Sequence, residues 1–231
     1  MKEILLVDKP KDWTSFDVVA KIRGKIRSEI KNKGEKPTKR QLKVGHAGTL
    51  DPFATGLLVI LLGDACKKAG EYLKLDKTYE FTAKLGEVST TGDPEGDIES
   101  VSSNVPDLVT VEEVVSQFQG DIMQVPPAFS AIKIDGKRAY KLAREGKEVE
   151  IPARQVRVDK IEVISYEYPL IKVVCDVGSG TYIRSLVEDI GRILETGAYC
   201  TELRRTRIGD YLVENAQTVE EITNNLQFKE D

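Results

Sequence analysis

Gly45-His46-Ala47-Gly48-Thr49-Leu50-Asp51-Pro52-Phe53-Ala54-Thr55-Gly56-Leu57-Leu58 puts the chain's only histidine, three glycines and a lone carboxylate into a segment that then turns apolar. Proline fixes its own φ and pushes the residue before it away from the α region, so Asp51-Pro52 reads as a bend. The run Leu57 to Leu62 is short, apolar and closed by Gly63-Asp64, which predicts a buried strand. A carboxylate held at the mouth of such a strand stands where catalytic groups are often found, on a loop carried by a rigid scaffold. A loop aspartate more often bonds its own backbone than it reacts, so on these residues alone the turn reading of Asp51 comes first.

Outward from this stretch, Ile4 to Val7 is a short strand, and Thr14-Ser15 offers a cap to a helix in which Val18, Val19, Ile22, Ile26 and Ile30 keep helical spacing. Lys31 to Leu42, with Gly34 and Pro37, predicts an exposed loop. Ala65 to Leu73 reads as a short helix. Tyr79, Phe81, Ala83 and Leu85 alternate perfectly along a half-buried strand, and the polar cluster from Ser89 to Asp97 is a loop. Thr110 and Glu113 have the spacing of a capping box before Val111, Val114, Val115 and Phe118. Asp135-Gly136 signals a turn, a short helix is expected over Arg138 to Glu145, and Val156 to Ser165 pairs with Leu170 to Val177. Gly178-Ser179-Gly180 hands over to an amphipathic helix, Leu203 to Ile208 is a last strand, and Thr218 with Glu221 caps a terminal helix. Strands and helices do not alternate one for one and no linker or repeat interrupts them. The expectation is one α+β domain over residues 1–231, with a mixed, mainly antiparallel sheet flanked by helices.

Composition sets bounds. The 231 residues suffice for a full core, 40% are apolar, and no window approaches the roughly 18 unbroken apolar residues of a membrane span, so a soluble, cytoplasmic protein without membrane association is expected. Cys66, Cys175 and Cys200 are odd in number and far apart, and with a single histidine they argue against a disulfide framework or a metal site. The net charge of −4 hides its distribution. Between Lys21 and Lys43 ten cations face only Glu29 and Glu35. A second basic run extends from Lys133 to Lys147, and Arg204-Arg205-Arg207 is a third. Each alone reads as a solvated face, but three of them in an acidic chain point to a polyanion-binding surface.

The glycines at 178 and 180 lack the spacing of phosphate-binding loops. Arg184, in the first turn of the following helix, reads as a surface residue, as a partner of a carboxylate such as Glu188, or as a partner of Asp51 whose charge keeps that carboxylate ionised. Tyr79 reads equally as a core aromatic or as a face on which a base stacks.

The opening stretch resembles the signature of the TruB family of tRNA pseudouridine synthases, and the resemblance covers nearly the whole chain in order. Lys9-Pro10 with Thr14-Ser15, Lys77-Thr78-Tyr79, Pro126 to Lys133, Gly180 to Leu186 and Leu203 to Thr206 are similar to the family's other motifs. The resemblance implies the pseudouridine synthase fold and isomerisation of uridine 55 in the T loop of tRNA, with no metal or organic cofactor and no obligate protein partner. It makes Asp51 the nucleophile, Tyr79 the residue stacked on the flipped uracil and Arg184 the partner of Asp51. It assigns His46 to the T loop, places Asp93 near the active site, and gives Lys9, Thr49, Lys133, Tyr182 and Arg204 to RNA binding. A non-catalytic tRNA-binding folding helper and a guide-RNA-directed synthase are the alternatives. Two departures stand out: the family usually has glycine where Asp12 stands, and no full C-terminal PUA-like domain is expected before Asp231. The basic segment Lys31 to Lys43 is expected to supply part of that missing grip on RNA.

Overall fold

The structure is a computed structural model. It describes residues 4–130, 132–134, 137–139 and 151–225, with the strand residues 133–134 and 137–138 described by their backbone. The chain divides into two compact units, residues 1–79 with 204–231, and residues 80–203.

The first unit opens with β1 (Ile4–Lys9), α1 (Ser15–Asn32), β2 (Val44–His46), β3 (Thr55–Leu62) and α2 (Ala69–Leu73), and then enters β4 (Lys77–Leu85). The second holds the rest of β4, then β5 (Glu87–Ser89), β6 (Ile98–Ser100), α3 (Leu108–Ser116), β7 (Gly120–Gln124), β8 (Lys133–Ile134), β9 (Lys137–Arg138), β10 (Arg154–Glu167), β11 (Leu170–Val177) and α4 (Ile183–Ile193). Strand β12 (Ala198–Ile208) leads back to the first unit, which closes with β13 (Tyr211–Leu212), β14 (Gln217–Thr218) and α5 (Val219–Asn225).

Strand β3 is the axis of the first unit. It pairs antiparallel with β1 along one edge, from Ile4 opposite Leu61 to Lys9 opposite Gly56. Its start pairs parallel with β12, Arg205 opposite Gly56, and its end antiparallel with β2, His46 opposite Ile60. Leu57, Val59 and Leu61 pack in one cluster with Ala47, Tyr72, Ile208 and Val213. A strand's period of two sends Leu58, Ile60 and Leu62 to the opposite face, and they are equally buried. Burial on both faces is why the run is continuously apolar instead of alternating. At roughly 1.5–3 kcal/mol for each fully buried aliphatic side chain, this strand anchors what is attached to its ends.

Helix α1 begins where expected. Thr14 and Asp17 form a reciprocal capping box, and Val18, Val19, Ile22, Ile26 and Ile30 are the buried stripe. Thr218 and Glu221 cap α5 in the same way. The expectation for α3 is corrected: Asp107, not Thr110, is the cap, and the helix starts at Leu108. Asp107 takes the amide of Thr110 at 2.8 Å, so Thr110 lies inside the first turn, while Val111, Val114, Val115 and Phe118 are buried as expected. Of the short helix expected over Ala65 to Leu73, residues 65–68 belong to a 3₁₀ turn over Gly63–Lys68, and α2 follows from Ala69.

In the second unit the sheet order is β12, β4, β11, β10, β7. Strand β4 buries Tyr79, Phe81, Ala83 and Leu85 on its inner face, and β10 and β11 form an antiparallel hairpin whose register shifts between Val158 and Lys160 and again between Val163 and Ser165. The loop at 90–97 is held between the paired strands β5 and β6. Arg138 is in β9, and the rest of the helix expected over 138–145 lies outside the described residues apart from Ala139. Parallel pairing is confined to β1 with β14 and β3 with β12 among the registered pairs, so the α+β architecture with a mixed, mainly antiparallel sheet is the one expected. No helix among the described residues is long and apolar enough to cross a membrane.

Gly56 ties β3 to β12. Its φ is +100°, and a Cβ there would stand 2.8 Å from the Arg205 amide nitrogen. Gly56→Ala is expected to lower stability by about 3 kcal/mol in urea unfolding, since it combines left-handed strain with a clash against backbone; a loss below about 1 kcal/mol would contradict this account.

Candidate active site

The loop between β2 and β3 carries Asp51, and the first unit holds it by its backbone. The carbonyl of Gly48 accepts from Arg205 Nη2 at 3.2 Å and that of Thr49 from Arg205 Nη1 at 3.4 Å. Ser15, the first residue of α1, donates its hydroxyl to the Leu50 carbonyl at 3.0 Å and accepts the Leu50 amide at 2.8 Å. The Asp51 carbonyl accepts the Ala54 amide at 3.1 Å, which is the expected turn. The Pro52 carbonyl accepts the Asp12 amide at 2.8 Å and the Lys9 ammonium at 3.3 Å. Five successive carbonyls are therefore engaged, and the half-buried Asp51 side chain leaves a backbone that cannot drift. Asp12 reaches Pro52 with φ at +65°, a conformation that favours glycine and that aspartate tolerates better than most residues. A glycine, as the resemblance leads one to expect there, would adopt this left-handed conformation without strain.

Two buried cations hold this loop, Lys9 and Arg205, and a third, Lys77, is buried within the field of Arg205. Lys9 is fully buried and donates to the carbonyls of Pro10 at 2.8 Å, Trp13 at 2.6 Å and Pro52. Burial pushes its pKa down to about 8, against the attraction of Asp51 and Asp12 and with the repulsion of Arg205. Lys77 donates to the carbonyls of Leu73 and Leu75, and burial with Arg205 repulsion also brings it to about 8. Arg205 is 1% exposed and has no carboxylate in ion-pairing range among the described residues. Its Nε donates to the Leu57 carbonyl at 2.8 Å, and its Nη1 lies 3.5 Å from the Tyr79 hydroxyl, with the guanidinium 6.0 Å from the Tyr79 ring centre.

The expected site residues fall in both units. Lys9, His46, Thr49, Asp51, Tyr79 and Arg204 belong to the first. Lys9, expected to contact RNA, is instead buried and shapes the Asp51 loop, because its ammonium is consumed by three carbonyls. Thr49 is exposed. Arg204 holds Asp8 through both carboxylate oxygens, at 2.7 and 3.1 Å, with its side chain two-fifths exposed. His46 closes β2; burial first, and Arg205 second, lower its pKa, so the imidazole is neutral at neutral pH.

Asp93, Lys133, Tyr182 and Arg184 belong to the second unit. Arg184, 4% exposed, donates to Asp93 at 2.9 Å, to the Thr91 carbonyl at 2.8 Å and to the Phe129 carbonyl at 2.8 Å. The surface reading is thereby excluded, and the carboxylate that pairs with it inside its unit is Asp93, not Glu188. Asp93 also accepts from the Thr91 hydroxyl and the Glu95 amide, so the loop is folded around the ion pair. Burial raises the pKa of the neighbouring Glu188. Tyr182 caps α4; fully buried Gln124 binds both its amide and its carbonyl, and Arg154 lies 5.2 Å from its ring centre. Lys133 is in β8.

Sequence reasoning missed Arg205, Lys77, Ser15 and Gln124. Arg205 was in the third basic run, and the three side chains do not form one surface: Arg205 is buried, whereas the partly exposed Arg204 binds Asp8 and Arg207 bonds the Thr78 hydroxyl and the Gly209 carbonyl. Strand alternation was the available signal, since Leu203 and Arg205 share the inward phase of β12. No group of three or more His, Cys, Asp or Glu side chains among the described residues is arranged to hold a metal ion.

Comparison with known proteins says what kind of protein carries this backbone-locked loop. Residues 35–183 match the model of the TruB family pseudouridylate synthase N-terminal domain, and residues 184–231 that of the tRNA pseudouridylate synthase B C-terminal domain. The chain therefore belongs to the TruB family of pseudouridine synthases. It is 43% identical over 228 residues to the tRNA pseudouridine synthase B of Parabacteroides distasonis, covering 97% of this chain and 93% of the relative. It is 42% identical over 232 residues to that of Corynebacterium diphtheriae, covering 96% and 72%. Among solved structures it resembles a chain of a Cbf5-Nop10-Gar1 complex, with a TM-score of 0.70 and 28% identity, and one of an H/ACA RNP bound to a substrate RNA containing 2'-deoxyuridine, at 0.67 and 27%. Each match covers 96% of this chain but only about half of that chain, 53% and 52%. The pseudouridine synthase fold is thus the fold of this protein.

Two measurements test the geometry. Arg205→Met leaves the Gly48, Thr49 and Leu57 carbonyls without their donor and is expected to cost about 3–5 kcal/mol in denaturant unfolding; a near-neutral result would show that the guanidinium does not hold the loop. The single histidine gives one imidazole resonance in proton NMR, and its titration midpoint is expected below the ordinary 6.5. A midpoint at or above that value would contradict its burial beside Arg205.

Proposed function

We propose that this protein isomerises uridine 55 in the T loop of tRNA to pseudouridine, acting on free tRNA in the cytoplasm without metal, organic cofactor or obligate protein partner. The observation that carries the reading is the 43% identity, along nearly the whole of both chains, to a relative called tRNA pseudouridine synthase B. Asp51, Tyr79 and Arg184 are the proposed catalytic set, and His46, Thr49, Asp93, Lys133, Tyr182 and Arg204 the proposed RNA-facing set.

The reaction breaks the bond from N1 of uracil to C1′ of ribose, joins C5 to C1′, releases the C5 proton and protonates N1. Nothing is oxidised or reduced, so substrate and product are isomers. Asp51 serves as the nucleophile, whether it attacks the ribose or the base, and that role needs an ionised carboxylate in a fixed place. The buried ammonium of Lys9, attracted by Asp51, favours the ionised form, and the five engaged carbonyls supply the fixed place. Extruding the uridine costs a few kcal/mol of stacking, which a pocket contact to the base must return. The Tyr79 ring is the proposed stacking surface, and the neutral imidazole of His46 suits a role against the remaining loop bases.

The likeness to chains of a Cbf5-Nop10-Gar1 complex and an H/ACA RNP supports a second reading, a guide-RNA-directed synthase. Identities of 28% and 27% weigh less than 43%, and that reading comes second. A third, a tRNA-binding folding helper, predicts binding without chemistry. Incubating the purified protein alone with tRNA tritiated at C5 of uridine separates the three. Release of one tritium equivalent per tRNA is expected, and Asp51→Asn is expected to abolish release while tRNA affinity stays within a few-fold. Wild-type turnover in Asp51→Asn would refute the nucleophile, and no release by the wild type would refute the activity on free tRNA.

A further inference from the structure

We propose that the loop between α1 and β2, together with the 3₁₀ turn at 63–68, is a docking face for the phosphate backbone of the substrate RNA outside the loop that carries the target uridine. The inference rests on the proposed tRNA substrate and adds a second region of contact within the first unit.

The loop is fastened to that turn. The Gly63 amide donates to the Lys43 carbonyl at 2.8 Å, and Asp64 binds Arg40 at 2.6 Å and Lys67 at 3.1 Å. Within the loop, Thr38 and Gln41 bond each other reciprocally: the Thr38 amide meets the Gln41 side chain at 2.8 Å, and the Gln41 amide meets the Thr38 hydroxyl at 3.2 Å. The Leu42 amide then bonds the Thr38 carbonyl, and the Lys43 amide that of Arg40. The lysine-rich stretch is thus an ordered surface, and it brings Lys67 and Lys68 beside a run that the sequence separates from them by more than twenty residues.

The surface is strongly cationic. Glu35 and Asp64 are the acids of residues 31–43 and 63–68, and Asp64 is spent in holding Arg40 and Lys67 together. Lys36, Lys39, Lys43 and Lys68 are exposed and form no ion pair among the described residues. None of the large exposed hydrophobic side chains lies in either segment, so the face offers a protein partner no apolar anchor. An array of free ammonium groups without apolar contacts matches a polyanion backbone.

Position connects the face to the site. Lys43 precedes β2, and three residues of strand, about 10 Å at 3.3 Å per residue, separate it from His46 at the other end. Both ends of β2 are registered on the buried β3. An RNA whose loop meets His46 runs its backbone at least that far to reach these lysines, which places the contacts on the stem and not on the loop bases.

The test compares Lys36→Gln/Lys39→Gln/Lys68→Gln with a charge-matched control, Lys74→Gln/Lys160→Gln/Lys172→Gln, by measuring the Kd for unmodified tRNA between about 50 and 200 mM salt, alongside thermal unfolding and tritium release by the wild type. The first variant is expected to flatten the dependence of log K on log salt by roughly 2–3, near 0.7–0.9 per lost phosphate contact, with the control unchanged. An unchanged slope in the first variant, or equal flattening in both, overturns the docking face while wild-type tritium release still upholds the proposed function. A wild type that binds tRNA but releases no tritium refutes the activity and leaves the slope comparison to decide the face. Failure of the wild type to bind tRNA overturns both.

Discussion

The rest of the first unit depends on the hydrogen bonding of five consecutive carbonyls, Gly48 to Pro52. A loop of this length between two strands would ordinarily leave such groups to water, and the chain would sample many arrangements at a cost of about 1–2 kcal/mol per residue to order it. Here the donors come from β1, the start of α1 and β12. Elements far apart in sequence therefore converge on one loop because each supplies a donor. The buried strand β3 makes the convergence possible, since β1 and β12 lie on its two edges and β2 and β3 flank the loop.

The choice of donors has an electrostatic consequence. Arg205 and Lys9 could be replaced as hydrogen-bond donors by neutral side chains, but as cations they also leave positive charge in a region poor in water. Burial of an unpaired cation is expensive, and the lowered pKa of both Lys9 and Lys77 is the sign of that cost. A carboxylate in the same region offsets it, and Asp51 is the largest attractive influence on Lys9. The ammonium that holds the Pro52 carbonyl is thereby also the one shown to feel the Asp51 carboxylate. Arg184 in the second unit obeys the same rule, with Asp93 as a buried counter-charge and the Thr91 and Phe129 carbonyls accepting two further bonds.

What could be read from the sequence divides along physical lines. The signals that depend on neighbours in the chain were legible: the capping box at Thr14, the alternation of Tyr79 to Leu85, the bend at Asp51-Pro52 and the continuous apolar run of β3. The cap expected at Thr110 lies three residues upstream instead, because Asp107 accepts the Thr110 amide and the helix starts at Leu108. The buried polar contacts were not legible, because Arg205 meets Gly48 across 157 residues and Arg184 meets Asp93 across 91. Charge counting went furthest astray there. It treated Arg204, Arg205 and Arg207 as one surface cluster, although a strand turns successive side chains to opposite faces. The motif resemblance supplied Asp51, Tyr79 and Arg184 as names, and the geometry added why the backbone beneath Asp51 is rigid.

The same rule separates the two kinds of cation in the first unit. A buried lysine or arginine whose donors are turned to backbone carbonyls, as in Lys9 and Arg205, is withdrawn from solvent, and its charge acts on what is buried beside it. A lysine such as Lys36 or Lys68, exposed and without an ion pair among the described residues, keeps its hydration and its donors for an incoming ligand. Net charge cannot tell these apart, which is why a chain with a net charge of −4 can still carry a lysine-rich surface segment. Salt separates them experimentally, because counterions gather on exposed ammonium groups and are released by a bound polyanion, whereas the field of a buried cation is screened far less. In this protein, then, basic residues of the proposed docking face should be recognised by their salt dependence, and basic residues that hold the Asp51 loop by their effect on unfolding.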